Sequence, residues 1–219
     1  MDTLKTRLRQ LPSLAGPFIP MEMDDMPRTP QAAFECWLND AIRQGVQEPH
    51  AMTLSTVDAD GIPDARVLIL KNVDHRGWHF AIKVASPKGR QLAANPQAAL
   101  TFYWPALGRQ IRLRGTATAL PAAECAEDFA TRPLGSRISA MASLQSEVLA
   151  APGDLSRRLQ KARIFLGNHP EHTEPGWRLF ALMPTVVEFW QGTADRLHQR
   201  LRYANTEKEG NWQKQMLWP

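Results

Sequence analysis

The chain has 219 residues, of which 43% are hydrophobic and 22% are charged. These values are ordinary for a soluble globular protein and exclude a chain that is disordered throughout. The formal net charge of +4 comes from Lys and Arg spread along the sequence, which argues against a nucleic-acid partner. The sequence shows no signal peptide and no apolar run of bilayer length, so we expect a cytoplasmic protein with no membrane contact.

The first third of the chain predicts an arm, a helix and a β-hairpin. Residues 1–28 show no sustained hydrophobic period and are expected to form an N-terminal arm. Thr29 is a suitable helix N-cap and Pro30 a suitable first helical residue, and apolar side chains follow at helical spacing up to Gly45. After Pro49, the segments AMTLSTVD and PDARVLILK flank Ala-Asp-Gly, which predicts a hairpin because Asp-Gly supplies the positive φ of such turns.

The rest of the chain continues mainly as strands. WHFAIK, AALTFYW and RQIRLRGTATAL are predicted strands, and SPKGRQLAANP a short helix. Residues about 121–168 have a helical pattern, interrupted at Pro133, Gly135 and Pro152-Gly153. Strands return in WRLFALM, VVEFWQG and RLHQRLRY, and around Trp212 to Leu217. This order predicts a mainly β protein with helices, an antiparallel barrel that occupies residues 29–219 as one domain with a helical insertion.

Familiar catalytic motifs are absent from the sequence. It contains no P-loop, no dinucleotide-binding glycine pattern, no HExxH and no nucleophile elbow. His169 and His172 have a spacing that could serve a metal, but no third ligand is evident. We therefore interpret HPEHTE as an exposed polar loop and predict no metal site.

Basic and amide side chains instead gather at predicted strand ends and turns. Arg66 and Lys71 bracket one strand, and Lys88 lies at a strand-to-helix turn, where free backbone N–H groups favour an anion. Arg196, His198 and Arg200 alternate along a predicted strand, so they are expected to share one face. Each residue alone could be a solvated or ion-paired charge, and the spacing favours an anion site only slightly.

Five segments of the chain stand out in order: RVLILK (66–71), NPQAALTFYW with the following RQ (95–110), TRPLGS (131–136), ASLQSE (142–147) and EFWQGTADRLHQR (188–200). Together they resemble the pyridoxamine 5'-phosphate oxidase family. The resemblance runs from about Phe34 to Pro219. It implies an antiparallel FMN-binding split β-barrel, FMN as the cofactor, and a homodimer.

The resemblance also implies a role for individual residues. Arg66 and Lys88 would hold the FMN phosphate, and Gln145 and Ser146 would reach the flavin from the partner subunit. The full set of implied cofactor contacts is Arg66, Val67, Leu68, Ile69, Leu70, Ala81, Ile82, Lys88, Gln110, Gln145, Ser146, Trp190 and Arg200. The implied substrate positions are Lys71, Asp128, Arg132, Ser136, Arg196 and His198, of which Arg196 and His198 are the candidate catalytic residues.

Several of these positions depart from the family pattern. Ala81-Ile82 replaces a Tyr-Thr pair beside the cofactor, and Pro87 replaces an Arg next to Lys88. Asp128 stands where the family has a Tyr that bonds the substrate phosphate, and a carboxylate there would repel a phosphate. The N-terminal arm also lacks the family's Arg-Arg-x-Tyr lid. The cofactor positions are thus mostly kept, whereas the substrate positions are half rewritten.

Three functions follow from this pattern. The favoured one is an FMN-dependent oxidase of pyridoxamine or pyridoxine 5'-phosphate, with molecular oxygen as acceptor, because Lys71 is retained. The second is an FMN-dependent oxidase of another reduced aromatic, such as a phenazine precursor, which Asp128 and the missing lid favour. The third is a module that binds FMN or pyridoxal phosphate without turnover.

Overall fold

A computed structural model describes residues 3–20, 22–206 and 211–219. Its helices are α1 (Leu4–Gln10), α2 (Pro30–Arg43), α3 (Pro87–Ala94), α4 (Ala122–Thr131), α5 (Leu134–Ala142) and α6 (Pro152–Asn168). Its strands are β1 (Ala51–Val57), β2 (Pro63–Asp74), β3 (Gly77–Lys83), β4 (Gln97–Trp104), β5 (Arg109–Ala119), β6 (Trp177–Gln191), β7 (Gln199–Asn205) and β8 (Trp212–Leu217).

Hydrogen bonding joins the eight strands in the order β3-β2-β1-β4-β5-β6-β7-β8. β3 also pairs antiparallel with β6, from Trp78 opposite Leu182 to Lys83 opposite Trp177. This additional ladder closes the first six strands into a barrel and leaves β7 and β8 as an extension. The predicted fold, a mainly β protein built on an antiparallel split barrel, is confirmed.

The β1–β2 hairpin forms where the sequence predicts it. The Asp58 carboxylate accepts hydrogen bonds from the backbone N–H groups of Asp60 (3.0 Å) and Ile62 (2.8 Å), and Gly61 has a φ of +82°. Further along β2, Leu70 faces Phe80 and Asn72 faces His79, so Lys71 is an extra residue in the ladder. Such a bulge changes the direction of the side chain that it carries.

The last part of the chain contains one strand where two are predicted. WRLFALM and VVEFWQG belong to a single 15-residue strand, β6, with Pro184 inside it. Residues 177–182 pair with β3 and residues 186–191 pair with β7, so Pro184 lies in the gap between these two ladders. Its missing N–H is therefore not required by either ladder, and its fixed φ suits an extended chain.

Contacts group the chain into two compact units, each assembled from separate stretches of sequence. One comprises Met1–Ala51, Thr101–Leu113 and Thr185–Pro219, and the other comprises Met52–Leu100 and Arg114–Pro184. We call them the terminal unit and the central unit. The assignment of residues 29–219 to one domain and of residues 1–28 to an arm stays a prediction.

The core of the terminal unit forms around α2. Thr29 caps this helix through a hydrogen bond from the N–H of Ala32 (3.4 Å), and Pro30 is its first residue. Phe34 packs against Phe102 with ring centroids 4.9 Å apart, and Trp37 meets Phe189 edge-on at 5.1 Å. The predicted apolar face thus holds for its aromatic residues, although Ile42 at its end is exposed.

Part of the predicted arm is structured. Residues 4–10 form α1, which has no buried side chain, whereas residues 23–27 are tied to the β7–β8 pair. Tyr203 donates a hydrogen bond to the carbonyl of Pro27 (2.7 Å), and Lys214 donates to the carbonyl of Met26 (2.8 Å). Residues 1, 2 and 21 of the arm lie outside the described residues.

The central unit carries the helices of the predicted insertion. Pro133 separates α4 from α5, but Gly135 lies inside α5 and does not interrupt it. Pro152 and Gly153 begin α6 rather than break a helix, because proline is well tolerated in a first helical turn. Among the described residues, no helix is long and apolar enough to cross a membrane.

Gly77 provides a test of the barrel closure. Its φ is +116°, and a Cβ atom there would lie 2.0 Å from the carbonyl oxygen of Leu182 on β6. We expect Gly77→Ala to lower the free energy of unfolding by about 3 kcal/mol, since it adds backbone strain to a steric clash. Gly135→Ala, with no atom within 4 Å of the new Cβ, is the control and should not destabilise. Equal denaturation midpoints for both variants would contradict this account.

Candidate functional site

The start of α3 places Lys88 in the central unit. The Ser86 hydroxyl caps the helix by accepting from the N–H of Gly89 (3.4 Å), while it donates to the carbonyl of Lys83 (2.6 Å). Gly89 permits this tight turn, because a Cβ on it would lie 2.3 Å from the carbonyl oxygen of Val84. The turn buries Lys88 to 5% exposure, and its Nζ donates to Oε1 of Gln145 at 2.8 Å.

Arg66 on β2 belongs to the same cluster of the central unit. Its guanidinium donates to the Thr56 hydroxyl (2.6 Å) and to Oε1 of Gln91 (3.2 Å), and it forms an ion pair with Asp64. We call Arg66, Lys88 and Gln145 the phosphate cluster. Sequence reasoning missed Thr56, Gln91 and Asp64, which hold Arg66 in place. Only the strand pairing of β1 with β2 and the position of α3 could have indicated them.

The electrostatics of the phosphate cluster favour an anion. Burial, and then the nearby charge of Arg66, lower the pKa of Lys88 to about 8, although the Asp64 carboxylate partly offsets this. A buried ammonium whose principal partner is a neutral amide is poorly compensated. A phosphate group would satisfy both cations with charge-assisted hydrogen bonds. The donors present therefore fit the phosphate that the family resemblance implies.

A second group in the central unit forms around Trp177. Lys71 lies 3.0 Å from Oδ1 of Asp128, and the Trp177 indole N–H donates to Oδ2 of the same carboxylate at 2.8 Å. The Arg132 guanidinium lies 4.0 Å above the Trp177 ring and donates to the carbonyl of Ser136 at 3.3 Å. The structure thus brings together four predicted substrate positions. Sequence reasoning missed the role of Trp177, which links Asp128 to Arg132.

This Trp177 group contains an unsatisfied donor. The Nε of Arg132 is buried and has no hydrogen-bond partner in the described part of the chain. Burial lowers the pKa of Arg132, and the charge of Asp128 opposes that shift. A buried guanidinium with a free N–H is a suitable place for a ligand acceptor atom.

The terminal unit contains five predicted site residues, namely Gln110, Trp190, Arg196, His198 and Arg200. The rings of Trp190 and His198 are 4.8 Å apart, and the backbone N–H of Thr193 donates to Nδ1 of His198 at 3.2 Å. Because Nδ1 accepts this hydrogen bond, the neutral ring carries its proton on Nε2. Arg200 donates to the buried carboxylate of Glu188 (3.0 Å), and Gln110 is half-buried on β5.

The predicted common face of Arg196, His198 and Arg200 is wrong. β7 begins only at Gln199, so Arg196 and His198 lie in the preceding turn. The N–H of Arg196 donates to the carbonyl of Thr193 (3.1 Å), and Arg196 has a left-handed φ of +65°. Strand alternation therefore does not apply to these two residues. Left-handed backbone at a non-glycine residue is uncommon and costs energy, and it is frequent at functional sites.

The other predicted cofactor positions differ in their exposure to solvent. On β2, Val67 is 66% and Ile69 38% exposed, whereas Leu70 is buried and Leu68 half-buried. On β3, Ile82 is buried and Ala81 packs against the hydrophobic core. Ser146 is exposed with a φ of +72°. Gln145, expected to reach the flavin of a partner, bonds to Lys88 of its own chain.

Comparison with known proteins finds matches over most of the chain. The family model "Pyridoxamine 5'-phosphate oxidase" matches residues 38–166, and "Pyridoxine 5'-phosphate oxidase C-terminal dimerisation region" matches residues 177–219. A pyridoxine/pyridoxamine 5'-phosphate oxidase of Thermosynechococcus vestitus is 45% identical over 199 residues, 89% of this chain and 91% of that protein. One from Pseudomonas paraeruginosa is 44% identical over 195 residues, 88% of this chain and 90% of that protein.

A solved structure is also similar over nearly the whole chain. PhzG from Burkholderia lata, in complex with tetrahydrophenazine-1-carboxylic acid, has a TM-score of 0.86 and 30% identity, and the match covers 94% of this chain and all of that one. An FMN-binding protein of Nostoc punctiforme has a TM-score of 0.72 at 17% identity, covering 89% of this chain, and supports the fold alone.

The pKa of Lys88 leads to a pH prediction. A phosphate binds to protonated Lys88, and this lysine loses its proton above a pH of about 8 in the ligand-free protein. FMN affinity should therefore stay level between pH 7 and 8 and then fall, approaching about tenfold per pH unit as binding takes up one proton. Flavin fluorescence titrations measure this dependence. In Lys88→Arg the cation stays charged, so a slope equal to that of the wild type would contradict the assignment.

Proposed function

Because the chain belongs to the pyridoxamine 5'-phosphate oxidase family, we propose that it is an FMN-dependent oxidase of pyridoxamine or pyridoxine 5'-phosphate. The product is pyridoxal 5'-phosphate, and molecular oxygen is the electron acceptor. The observation that carries the proposal is the phosphate cluster, in which a buried lysine and an arginine lie beside an amide. A protein with no anionic ligand has little reason to bury an ammonium in this way.

The cations and amide groups at these positions suit FMN as a ligand. By the family resemblance, Arg66 and Lys88 would hold its phosphate, and the amides of Gln145 and Gln110 would bond the ring or the ribityl chain. Trp190 and Arg200 complete the set in the terminal unit. When bound, FMN supplies the hydride acceptor of the oxidation, so the protein contributes binding, orientation and charge. Because Asp64 already pairs with Arg66, the FMN phosphate competes with this carboxylate for the guanidinium.

The substrate meets cations and one neutral donor. The family resemblance assigns its anionic group to Lys71 and Arg132 of the central unit and to Arg196 of the terminal unit. His198 offers an Nε2–H because the N–H of Thr193 occupies its other nitrogen. The tilted Trp190 ring beside His198 fixes the plane of the imidazole. A donor held in one tautomer before the substrate arrives needs no rearrangement during the reaction.

We further propose that the enzyme is an isologous homodimer. The match of residues 177–219 to a dimerisation region supports this assembly. The exposed apolar side chains of Val67 and Ile69 on β2 are consistent with a surface that a second subunit covers. The cytoplasm is the compartment in which we expect it to act.

One preparation tests the cofactor and the activity together. The purified protein should be yellow, release FMN rather than FAD, scatter light as a dimer and consume oxygen with pyridoxamine 5'-phosphate. Arg66→Ala should weaken FMN binding by roughly tenfold, since it removes a charge-assisted contact. Arg163→Ala, which removes an exposed arginine of α6, is the matched control. A colourless protein that takes up no added FMN would refute the proposal.

A second candidate, an FMN-dependent oxidase of another reduced aromatic, is favoured by the Asp128 ion pair. Asp128 neutralises Lys71 at 3.0 Å, so the Trp177 group carries less positive charge than a phosphate dianion would prefer. A singly charged carboxylate on an aromatic ring suits that balance better. The likeness to PhzG, solved with tetrahydrophenazine-1-carboxylic acid, adds support. A module that binds FMN or pyridoxal phosphate without turnover is the third reading.

Substitution of Asp128 distinguishes between the two candidate oxidase activities. With pyridoxamine 5'-phosphate, Asp128→Tyr should lower KM by about threefold to tenfold, because Lys71 and Arg132 no longer share their charge with a carboxylate. Asp128→Asn is the matched control, since its amide oxygen still accepts from Trp177 while the charge is removed. Oxygen consumption over a series of substrates measures the effect. If neither the wild type nor Asp128→Tyr oxidises the phosphate, the second candidate replaces the first.

A further inference from the structure

The carboxyl end of α5 is held by two cations instead of a glycine cap. Lys83, the last residue of β3, donates from Nζ to the carbonyls of Ala140 (2.6 Å) and Ser143 (2.5 Å). Arg158 on α6 donates from Nε to the carbonyl of Ala142 at 2.6 Å. The last carbonyls of a helix lack partners within it and form the negative end of its dipole, so cations stabilise them.

The segment that leaves α5 has little else to hold it. Ser143 already has an extended backbone, and Leu144, Val148 and Leu149 are 52%, 94% and 55% exposed. Apolar packing therefore contributes little to the path of residues 144–149. Two polar contacts hold this segment. Lys83 donates to the carbonyl of Ser143, and Lys88 donates to the amide oxygen of Gln145. Segments with few buried contacts open easily unless such anchors hold them.

Lys83 also helps to place Lys88, which donates the hydrogen bond to Gln145. Its carbonyl accepts from the hydroxyl of Ser86, the residue that caps α3 and so begins the helix that carries Lys88. The backbone of Lys83 thus determines where Lys88 lies, and its side chain determines where the chain of Gln145 begins. Burial lowers the pKa of Lys83, which indicates that the lysine is kept in this position at some cost in desolvation.

We propose that Lys83 is a positioning residue that sets the distance between Lys88 and Gln145, and through it the place of the flavin. It acts through these two side chains and does not itself touch the cofactor. The inference rests on the proposed FMN site and extends it to a residue outside the implied contacts. It also gives a role to the cationic cap of α5, which the proposed reaction does not use.

A double-mutant cycle tests the proposal. Lys83→Met should weaken FMN binding by about fivefold, and Gln145→Ala by a similar factor, because each loses the contact that Gln145 would make with FMN. The double variant should bind no more weakly than Gln145→Ala alone, because the side chain of Lys83 acts through Gln145, while its backbone contact with Ser86 is kept. Lys161→Met, which removes an exposed lysine of α6, is the control and should bind as the wild type does. Additive losses would overturn the proposal.

Hydrogen exchange on the cofactor-free protein gives a second readout. Lys83→Met should speed exchange in residues 143–147 and leave β7 and β8 unchanged. Unchanged exchange in residues 143–147 would overturn the anchoring role, whatever ligand binds. A wild-type protein that binds no FMN would instead refute the proposed function. If Lys83→Met does not fold, Lys83→Gln, which keeps one donor for the carbonyls, takes its place in both measurements.

Discussion

The burial of Lys88 is the constraint on which the candidate site depends. An ammonium group at 5% exposure, close to an arginine, is unfavourable unless an anion or a set of oxygen acceptors compensates it. The local chain is built to keep it there. Ser86 caps the helix, Gly89 lets the backbone approach Val84, and Gln145 supplies an acceptor. Stability is thus given up in the ligand-free protein at the position that the proposed function assigns to the FMN phosphate.

In the Trp177 group, the cation is compensated within the chain itself. There the chain supplies its own anion, Asp128, which pairs with Lys71 and accepts from the Trp177 indole. A partly buried ion pair gains little net stability but fixes the geometry of both partners. The two groups of the central unit therefore treat incoming anions differently. In the phosphate cluster, Asp64 pairs with Arg66 and only partly offsets the burial of Lys88. In the Trp177 group, Asp128 would compete with an incoming anion for Lys71.

Local patterns in the sequence predicted those features that depend on neighbouring residues. The Thr29 cap, the Asp-Gly hairpin and the helix before Asn95 require only a few adjacent side chains. The continuity of β6 through Pro184 could not be read in this way, because it depends on which strands pair before and after the proline. The left-handed backbone of Arg196 likewise follows from a turn closed on Thr193. The hydrogen bond of Trp177 to Asp128 could not be predicted locally either, because it joins residues 49 positions apart.

The bulge in β2 adds Lys71, a predicted substrate position, without adding a step to the β2–β3 pairing. Leu70 and Asn72 face adjacent residues of β3, so the ladder would keep its register if Lys71 were deleted. Lys71 is therefore an extra residue of β2 that the β2–β3 register skips. A one-codon deletion of Lys71 would therefore remove a cation and leave the β2–β3 register unchanged. The charge at this position can thus change in evolution without a new pairing of β2 with β3.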